Sequence, residues 1–250
     1  MASYVMVSVH SGVPWPEAER DVEFDGHMIL LIPPRRDEQG AVRTYPMAVI
    51  EYQKGANREQ LVTVIRRFLN GLAWREQISI RELDVTYGVP LRTGTRVPDN
   101  GTSKWFEAKN VPDPGDAKAR LALAFYREAL DLEHIHTPYS FLSLFKVLNL
   151  RFARGPEQIR WINLNLQHAR ESRAVERLAT ITLTEPDAGE YLYAAGRCAV
   201  AHAFSDQLVD PNDIRDQQRL SRDWPLMRSL SGLLIQTEWG IPAPAWHSAV

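Results

Sequence analysis

The apolar residues of this chain keep two different rhythms, and the change of rhythm divides it. Up to about residue 90 the period is mixed. In Tyr4–Val9 the side chains of Val5, Val7 and Val9 fall on one face, which predicts a strand. His27-Met-Ile-Leu-Leu-Ile32 stops at Pro33-Pro34 and predicts a buried strand; Tyr45–Tyr52 predicts another. Asn57 with Gln60 three positions on has the pattern of a helix capping box. Behind it Leu61, Ile65, Phe68 and Leu72 recur at i, i+4, i+7 and i+11, one face of a helix. Ile78–Val85 closes the unit as a strand. Residues 1–90 thus read as a small α+β layer, one helix on a short sheet.

Residues 91–115 read as a junction, punctuated by Gly94, Pro98, Gly101, Pro112, Pro114 and Gly115. Trp105 and Phe106 in its middle predict that it packs onto something. From Asp116 the period is helical. Asp116 caps a first helix with Leu121, Phe125 and Leu132 on one side. Pro138 opens a second, carrying Phe141, Phe145, Leu148 and Phe152. Gly155-Pro156 starts a third, with Ile159, Ile162 and Leu166 inward. Pro186 and Asp187 are first-turn residues for a fourth, which holds Arg197. Asp223 and Pro225 open a fifth, with Leu226, Leu230, Leu233 and Leu234 inward and Gly240 as its stop. Five helices on short loops predict an antiparallel bundle over residues 116–240, followed by a tail, 241–250. The fold class expected is α+β: a small α+β layer, then a mostly helical bundle.

Composition changes this picture little. Of 250 residues, 44% are hydrophobic and 24% charged, ordinary for a globular protein. A net charge of −2 means that any attraction for nucleic acid comes from a local patch. Cys198 is the single cysteine, so no internal disulfide forms. The first residues lack the basic start and apolar core of a signal peptide, and no apolar run is long enough to span a bilayer. A cytoplasmic protein with no membrane contact is expected.

The chemistry-bearing residues are sparse. His134 and His136 flank Ile135 without cysteines or a second pair at zinc spacing, and read as a polar turn. No phosphate-binding glycine loop and no nucleophile elbow are present. Asp206, Asp210, Asp213 and Asp216 do not match a calcium loop, since Pro211 takes a ligand position, and they read as turn residues. No metal site and no cofactor are expected. Arginines 154, 160, 170, 173 and 177 make the third helix and its tail basic; Arg160, Arg170, Arg173 and Arg177 are candidates for holding phosphates. Glu157, Glu171 and Glu176 dilute that face.

One pair stands apart. An arginine followed by four to six residues and a histidine occurs three times: Arg20 with His27, Arg127 with His134, and Arg197 with His202. Arg20 is expected in a loop, and Arg127 to His134 runs off a helix end. Only Arg197 and His202 share one helix, within Tyr191-Leu-Tyr-Ala-Ala-Gly-Arg-Cys-Ala-Val-Ala-His-Ala-Phe204. A permanent cation beside an imidazole is a minimal kit for metal-free RNA cleavage. On an ideal helix five residues turn through about 500°, so the two side chains diverge by about 140°. They meet one phosphate only if the helix is distorted or a second subunit completes the site.

The helical half, roughly 116–240, resembles the HEPN superfamily, whose nucleases carry an Arg-x(4-6)-His motif on a late helix. Three segments are more specifically similar to the methylamine utilization protein MauJ family: Tyr126–Leu130 with Pro138–Asn149, then Gly196–Ala203, then Asp210–Asp213 with Arg219-Leu220. Nothing in the first half carries a resemblance. The resemblance implies a homodimer in which two motif helices face each other. It implies that His202 acts as general base or acid and Arg197 stabilises the pentavalent phosphate. Glu190, Tyr193 and Cys198 would support them. RNA would be cut to 2′,3′-cyclic phosphate and 5′-hydroxyl ends without metal, in a defence or stress setting. Cys198, where active members often have a polar residue, dries the site, and many superfamily members are catalytically silent interaction domains. So a silent binder of nucleotide, RNA or protein stays open. So does a structural pair, with Arg197 on a carboxylate such as Glu190 and His202 satisfied in the core. The role of the first half stays open between recognising a guide, a trigger or a protein partner that controls the helical half.

Overall fold

The computed structural model describes residues 3–12, 15–92, 96–98 (backbone alone), 110–201, 209–210 and 212–244. The chain divides into two compact units, Met1–Asp113 with Ala243–Val250, and Pro114–Pro242. An N-terminal sheet precedes a helical part, so the α+β layout holds.

Among the described residues the first unit has strands β1 (Ser3–Ser11), β2 (Glu19–Phe24), β3 (His27–Ile32), β4 (Arg35–Arg36), β5 (Val42–Thr44), β6 (Met47–Tyr52), β7 (Ile80–Gly88) and β8 (Arg96–Pro98), with helix α1 (Arg58–Glu76). Six strands form one sheet in the order β7-β1-β6-β3-β2-β8; β4 and β5 pair separately. All neighbours in the large sheet are antiparallel except β2 and β8. Register explains the apolar runs. Val5, Ile50 and Ile29 stand side by side, as do Val7, Ala48 and Leu31. Alternation puts Met6, Val49, Leu30, Met47 and Ile32 on the opposite face, where they form a second buried cluster with Tyr4. The middle of the sheet is therefore apolar on both sides.

α1 begins as its sequence pattern implies: the Asn57 side chain accepts from the Gln60 N–H at 3.2 Å. Ile65, Phe68 and Leu72 are fully buried and Leu61 is 7% exposed. Burying four such side chains is worth about 6–12 kcal/mol, against tenths per residue from helix propensity, so packing holds this helix. The far end of the expected junction belongs to this unit. Val111 is buried, and a Cβ at Gly71 would lie 2.5 Å from the Pro112 carbonyl oxygen. Trp105 and Phe106 lie outside the described residues.

One expectation fails here. Arg20, expected in a loop, sits on β2, which pairs with β3 through the two-residue turn Asp25-Gly26, both at positive φ (49° and 69°). Asp-Gly is the signature of such a hairpin turn. The polar string Glu-Arg-Asp hides the strand because Glu19, fully buried, is matched by Arg92 at 2.6 Å.

The second unit has helices α2 (Ala117–Leu132), α3 (Thr137–Arg151), α4 (Gly155–Asn165), α5 (Ser172–Thr184), α6 and α7 (Ile214–Trp239). α6 runs as Ala188–Tyr191, a π-helical segment Leu192–Cys198, and Ala199–Ala201. Asp116 caps α2 by accepting from Ala119 N–H at 2.8 Å, and Pro138 lies in the first turn of α3. The buried side of α2 runs through Ala119, Leu123, Tyr126 and Leu130, while Leu121, expected inward, is 48% exposed. α7 packs on α2, α3 and α5. Its core contact is pinned by polar groups: Trp224 Nε1 donates to Ser140 Oγ at 2.7 Å, and Ser140 Oγ donates to the Ala129 carbonyl at 2.6 Å.

Among the described residues the bundle holds six helices where five were expected. The basic tail of the third is a separate helix, α5, set by Ala174, Leu178 and Ile181 at i, i+4 and i+7. The last helix starts at Ile214, capped by Asp213, and Pro225 lies inside it. Proline does favour a first turn, but Leu220, Trp224 and Met227 already share one buried face, and that packing carries the helix through. No described helix is long and apolar enough to cross a membrane.

Candidate functional site

The motif helix is anchored at its start by polar contacts with α4. Asp187 accepts from Glu190 N–H at 2.8 Å and from Asn163 Nδ2 at 2.8 Å, while Gly189 N–H donates to Asn163 Oδ1 at 2.9 Å. These hydrogen bonds hold the Asp187 carboxyl below the usual aspartate range. Leu192, Ala195, Gly196 and Ala199 turn inward. A side chain at Gly196 would collide with the Phe141 ring, so glycine lets α6 lie against α3.

The helix is distorted over its chemistry-bearing stretch. In the π segment the Ala199 N–H reaches back five residues to the Ala194 carbonyl. Residues five apart, which an α-helix would splay by about 140°, then stack nearly one above the other. Tyr193 and Cys198 are five apart across this stretch, and the thiol bears on the Tyr193 hydroxyl. Burial, with the Cys198 contact, pushes the Tyr193 hydroxyl above its ordinary value, against the pull of Arg197. Arg197, half-buried, lies with its guanidinium 5.4 Å from the Tyr193 ring centre and Nη1 3.6 Å from Cys198 Sγ. Arg197, Tyr193 and Cys198 thus form one cluster. Glu190 is exposed one turn earlier, and its charge reaches Tyr193. His202 lies outside the described residues, as does Asp206.

The candidate phosphate-holding arginines separate. Arg160 is exposed on α4, and Arg170 is exposed just ahead of α5. Arg173 and Arg177, one turn apart on α5, line a cleft of about 470 Å³ with Glu176, Thr180, Arg222 and Pro225. Arg177 is the most engaged. Its Nε donates to Asp223 Oδ1 at 2.6 Å and its Nη2 donates to the Tyr191 hydroxyl at 3.2 Å. Tyr191 in turn donates to Asp223 Oδ2 at 2.9 Å. Asp223 is 1% exposed. Burial pushes its carboxyl up, while Arg177, Tyr191 and Arg219 draw it down. Arg219 Nη1 also donates to the Ala195 carbonyl at 2.7 Å, inside the π segment. One polar network therefore ties α5 and α7 to α6.

Asp223, Tyr191, Arg219 and Arg222 did not figure among the candidates. One signal was present: Asp223 falls on the same helix face as Leu220, Trp224 and Met227, an acid where the pattern wants an apolar residue.

The acidic run beyond α6 does turn and cap work. Asp210 Oδ1 accepts from Asn212 N–H at 2.8 Å, Asp216 Oδ2 from Asp210 N–H at 2.9 Å, and Asp213 from Arg215 N–H at 2.8 Å. His136 caps α3, accepting through Nδ1 from Tyr139 N–H at 3.3 Å. Among the described residues no three His, Cys, Asp or Glu side chains gather as a metal site.

The second unit is built of helices packed on one another, with the Arg197 segment on a late one. Residues 122–236 match the family model described as Methylamine utilization protein MauJ, so this unit is MauJ-like, as its sequence implied. The match spans most of α2 through most of α7 and leaves the sheet unit outside it. No curated protein and no solved structure matches the chain.

Proposed function

We propose that the helical unit is a HEPN-type, metal-independent endoribonuclease acting as a homodimer through α6. The observation that supports it most is the place of the distortion. The π segment, Leu192–Cys198, takes in Arg197 and ends one residue beyond it, within the residues that match MauJ. Such segments are rare and frequently mark functional sites. Arg197 supplies the charge that offsets the developing negative charge on phosphorus. His202 takes the 2′-hydroxyl proton or gives one to the leaving 5′-oxygen. Two motif helices, one per subunit, bring four groups to a single phosphodiester and remove the angular problem of one helix alone.

A second reading is favoured by a specific contact. Arg197 rests on the Tyr193 ring beside a thiol rather than a polar side chain, which suits holding a phosphate more than cutting beside it. In that reading the unit binds RNA or nucleotide and is catalytically silent.

The test is RNA incubated with purified full-length protein and a chelator, beside Arg197→Ala and His202→Ala. The nuclease reading expects cleavage by the parent and a loss of about 10²-fold or more in each variant, the size of a general acid–base contribution. Cleavage by His202→Ala at the parent rate refutes it. Binding by the parent without any cleavage supports the silent reading.

A further inference from the structure

The cleft between α5 and α7 has a use of its own. Arg173, Glu176, Arg177 and Thr180 occupy positions i, i+3, i+4 and i+7 of α5, so they share one face, and Arg222 and Pro225 close it from α7. Three arginines stand against one glutamate in the lining. Arg173 and Arg222 make no ion pair among the described residues, and both are exposed. Arg177 is different: Asp223 and Tyr191 fix two of its nitrogens from beneath, and its Nη1 makes no hydrogen bond among the described residues. A cation so oriented has already lost the side-chain freedom that binding would otherwise cost. Asp223 balances the charge of Arg177, which leaves Arg173 and Arg222 as the two cations of the lining that an external anion would bridge. The volume, about 470 Å³, falls in the range of small-ligand pockets.

We propose that this cleft binds the phosphate or pyrophosphate group of a nucleotide-sized ligand, with Arg173 and Arg222 closing on it from two helices and Arg177 as the fixed floor. Guanidinium groups match phosphate oxygens with paired N–H donors, and a multiply charged anion satisfies three of them where a single carboxylate would not. Glu176, in the same lining, sits where it can accept from a sugar hydroxyl and disfavours an anion that fills the whole cleft. The site goes beyond the cleavage reading and stands without it, since none of its residues lies on α6.

The test is isothermal titration of the full-length protein with inorganic pyrophosphate and with ADP. Saturable one-to-one binding is expected. Arg173→Ser and Arg222→Ser should each weaken it by about tenfold or more, the scale of one charged hydrogen-bonded contact. Both positions are exposed, so the fold should survive, and circular dichroism checks this. Lys118→Ser and Arg43→Ser, made singly at two exposed cations elsewhere, serve as charge-matched controls and should bind like the parent. Competition by 5′-phosphorylated against 5′-hydroxyl oligoribonucleotides assigns the source: displacement by the phosphorylated strand alone points to an RNA end, displacement by neither to a free nucleotide. Absence of saturable binding by both probes overturns the proposal, as does equal weakening in the controls. Saturable pyrophosphate binding by a parent protein that cuts no RNA overturns only the nuclease reading.

Discussion

Replacing Asp223 with asparagine removes a negative charge from a place that water barely reaches. Asp223 is 1% exposed and serves Arg177 at 2.6 Å and the Tyr191 hydroxyl at 2.9 Å. Asparagine keeps the shape and can still accept from one of them. It leaves the Arg177 guanidinium without its counter-charge in a site where Arg177's own side chain is 16% exposed. Removing one partner of a fully buried pair costs about 3–5 kcal/mol. Arg177 opens onto the cleft and regains some hydration there, so about 2–4 kcal/mol is expected. For a unit of this size that corresponds to a fall in melting temperature of roughly 10 °C. Urea unfolding followed by circular dichroism measures it, and Asp223→Asn combined with Tyr191→Phe separates the hydroxyl's share as a coupling energy of about 1 kcal/mol. A loss below about 1 kcal/mol, the value of an exposed ion pair, refutes the claim that this network holds α5, α6 and α7 together.

Two further outcomes follow from the geometry. Gly71→Ala should destabilise the sheet unit: the gain of about 1 kcal/mol in helix propensity is outweighed by overpacking of about 1–3 kcal/mol, because the new Cβ meets the Pro112 carbonyl and the Val111 side chain, both 2.5 Å away. A higher melting temperature in this variant contradicts the packing described for residues 111–112. Asp187→Ala should cost about 1 kcal/mol at neutral pH through loss of the α6 cap. The cap's carboxyl titrates below its unfolded value, so its contribution is present above about pH 4 and is lost as pH falls through the folded value. Parent and variant stabilities should therefore converge in acid, and a constant difference down to pH 2 excludes a charged cap.

Much of the fold was legible because its signals are local. Asn57, Asp116, Pro138 and Gly155-Pro156 mark helix starts through bonds made within one turn. What escaped depends on tertiary partners. β2 reads as polar until Arg92 arrives to match Glu19, although the Asp25-Gly26 turn was there to be seen. Pro225 looks like a helix start because the packing that overrides it comes from α2, α3 and α5. The site was half legible. Arginine-to-histidine spacing drew the eye to Arg197, and its neighbours Tyr193 and Cys198 do gather around it. The π segment that runs through Tyr193 and Cys198 has no composition of its own, since one extra residue in a turn leaves no pattern in a string of Ala and Gly. The Arg177–Asp223 pair joins residues 46 apart in sequence, and only the acid's place on an apolar face hinted at it.

If the proposed nuclease works through the 2′-hydroxyl, removing that one hydroxyl from its substrate should stop it. An oligoribonucleotide cut by the protein in chelator is resynthesised with a single 2′-deoxynucleotide on the 5′ side of the scissile bond. This bond alone should become resistant, and the parent substrate should yield a 2′,3′-cyclic phosphate and a 5′-hydroxyl. Cutting of the deoxy-substituted bond, or a 5′-phosphate on the product, would contradict that chemistry.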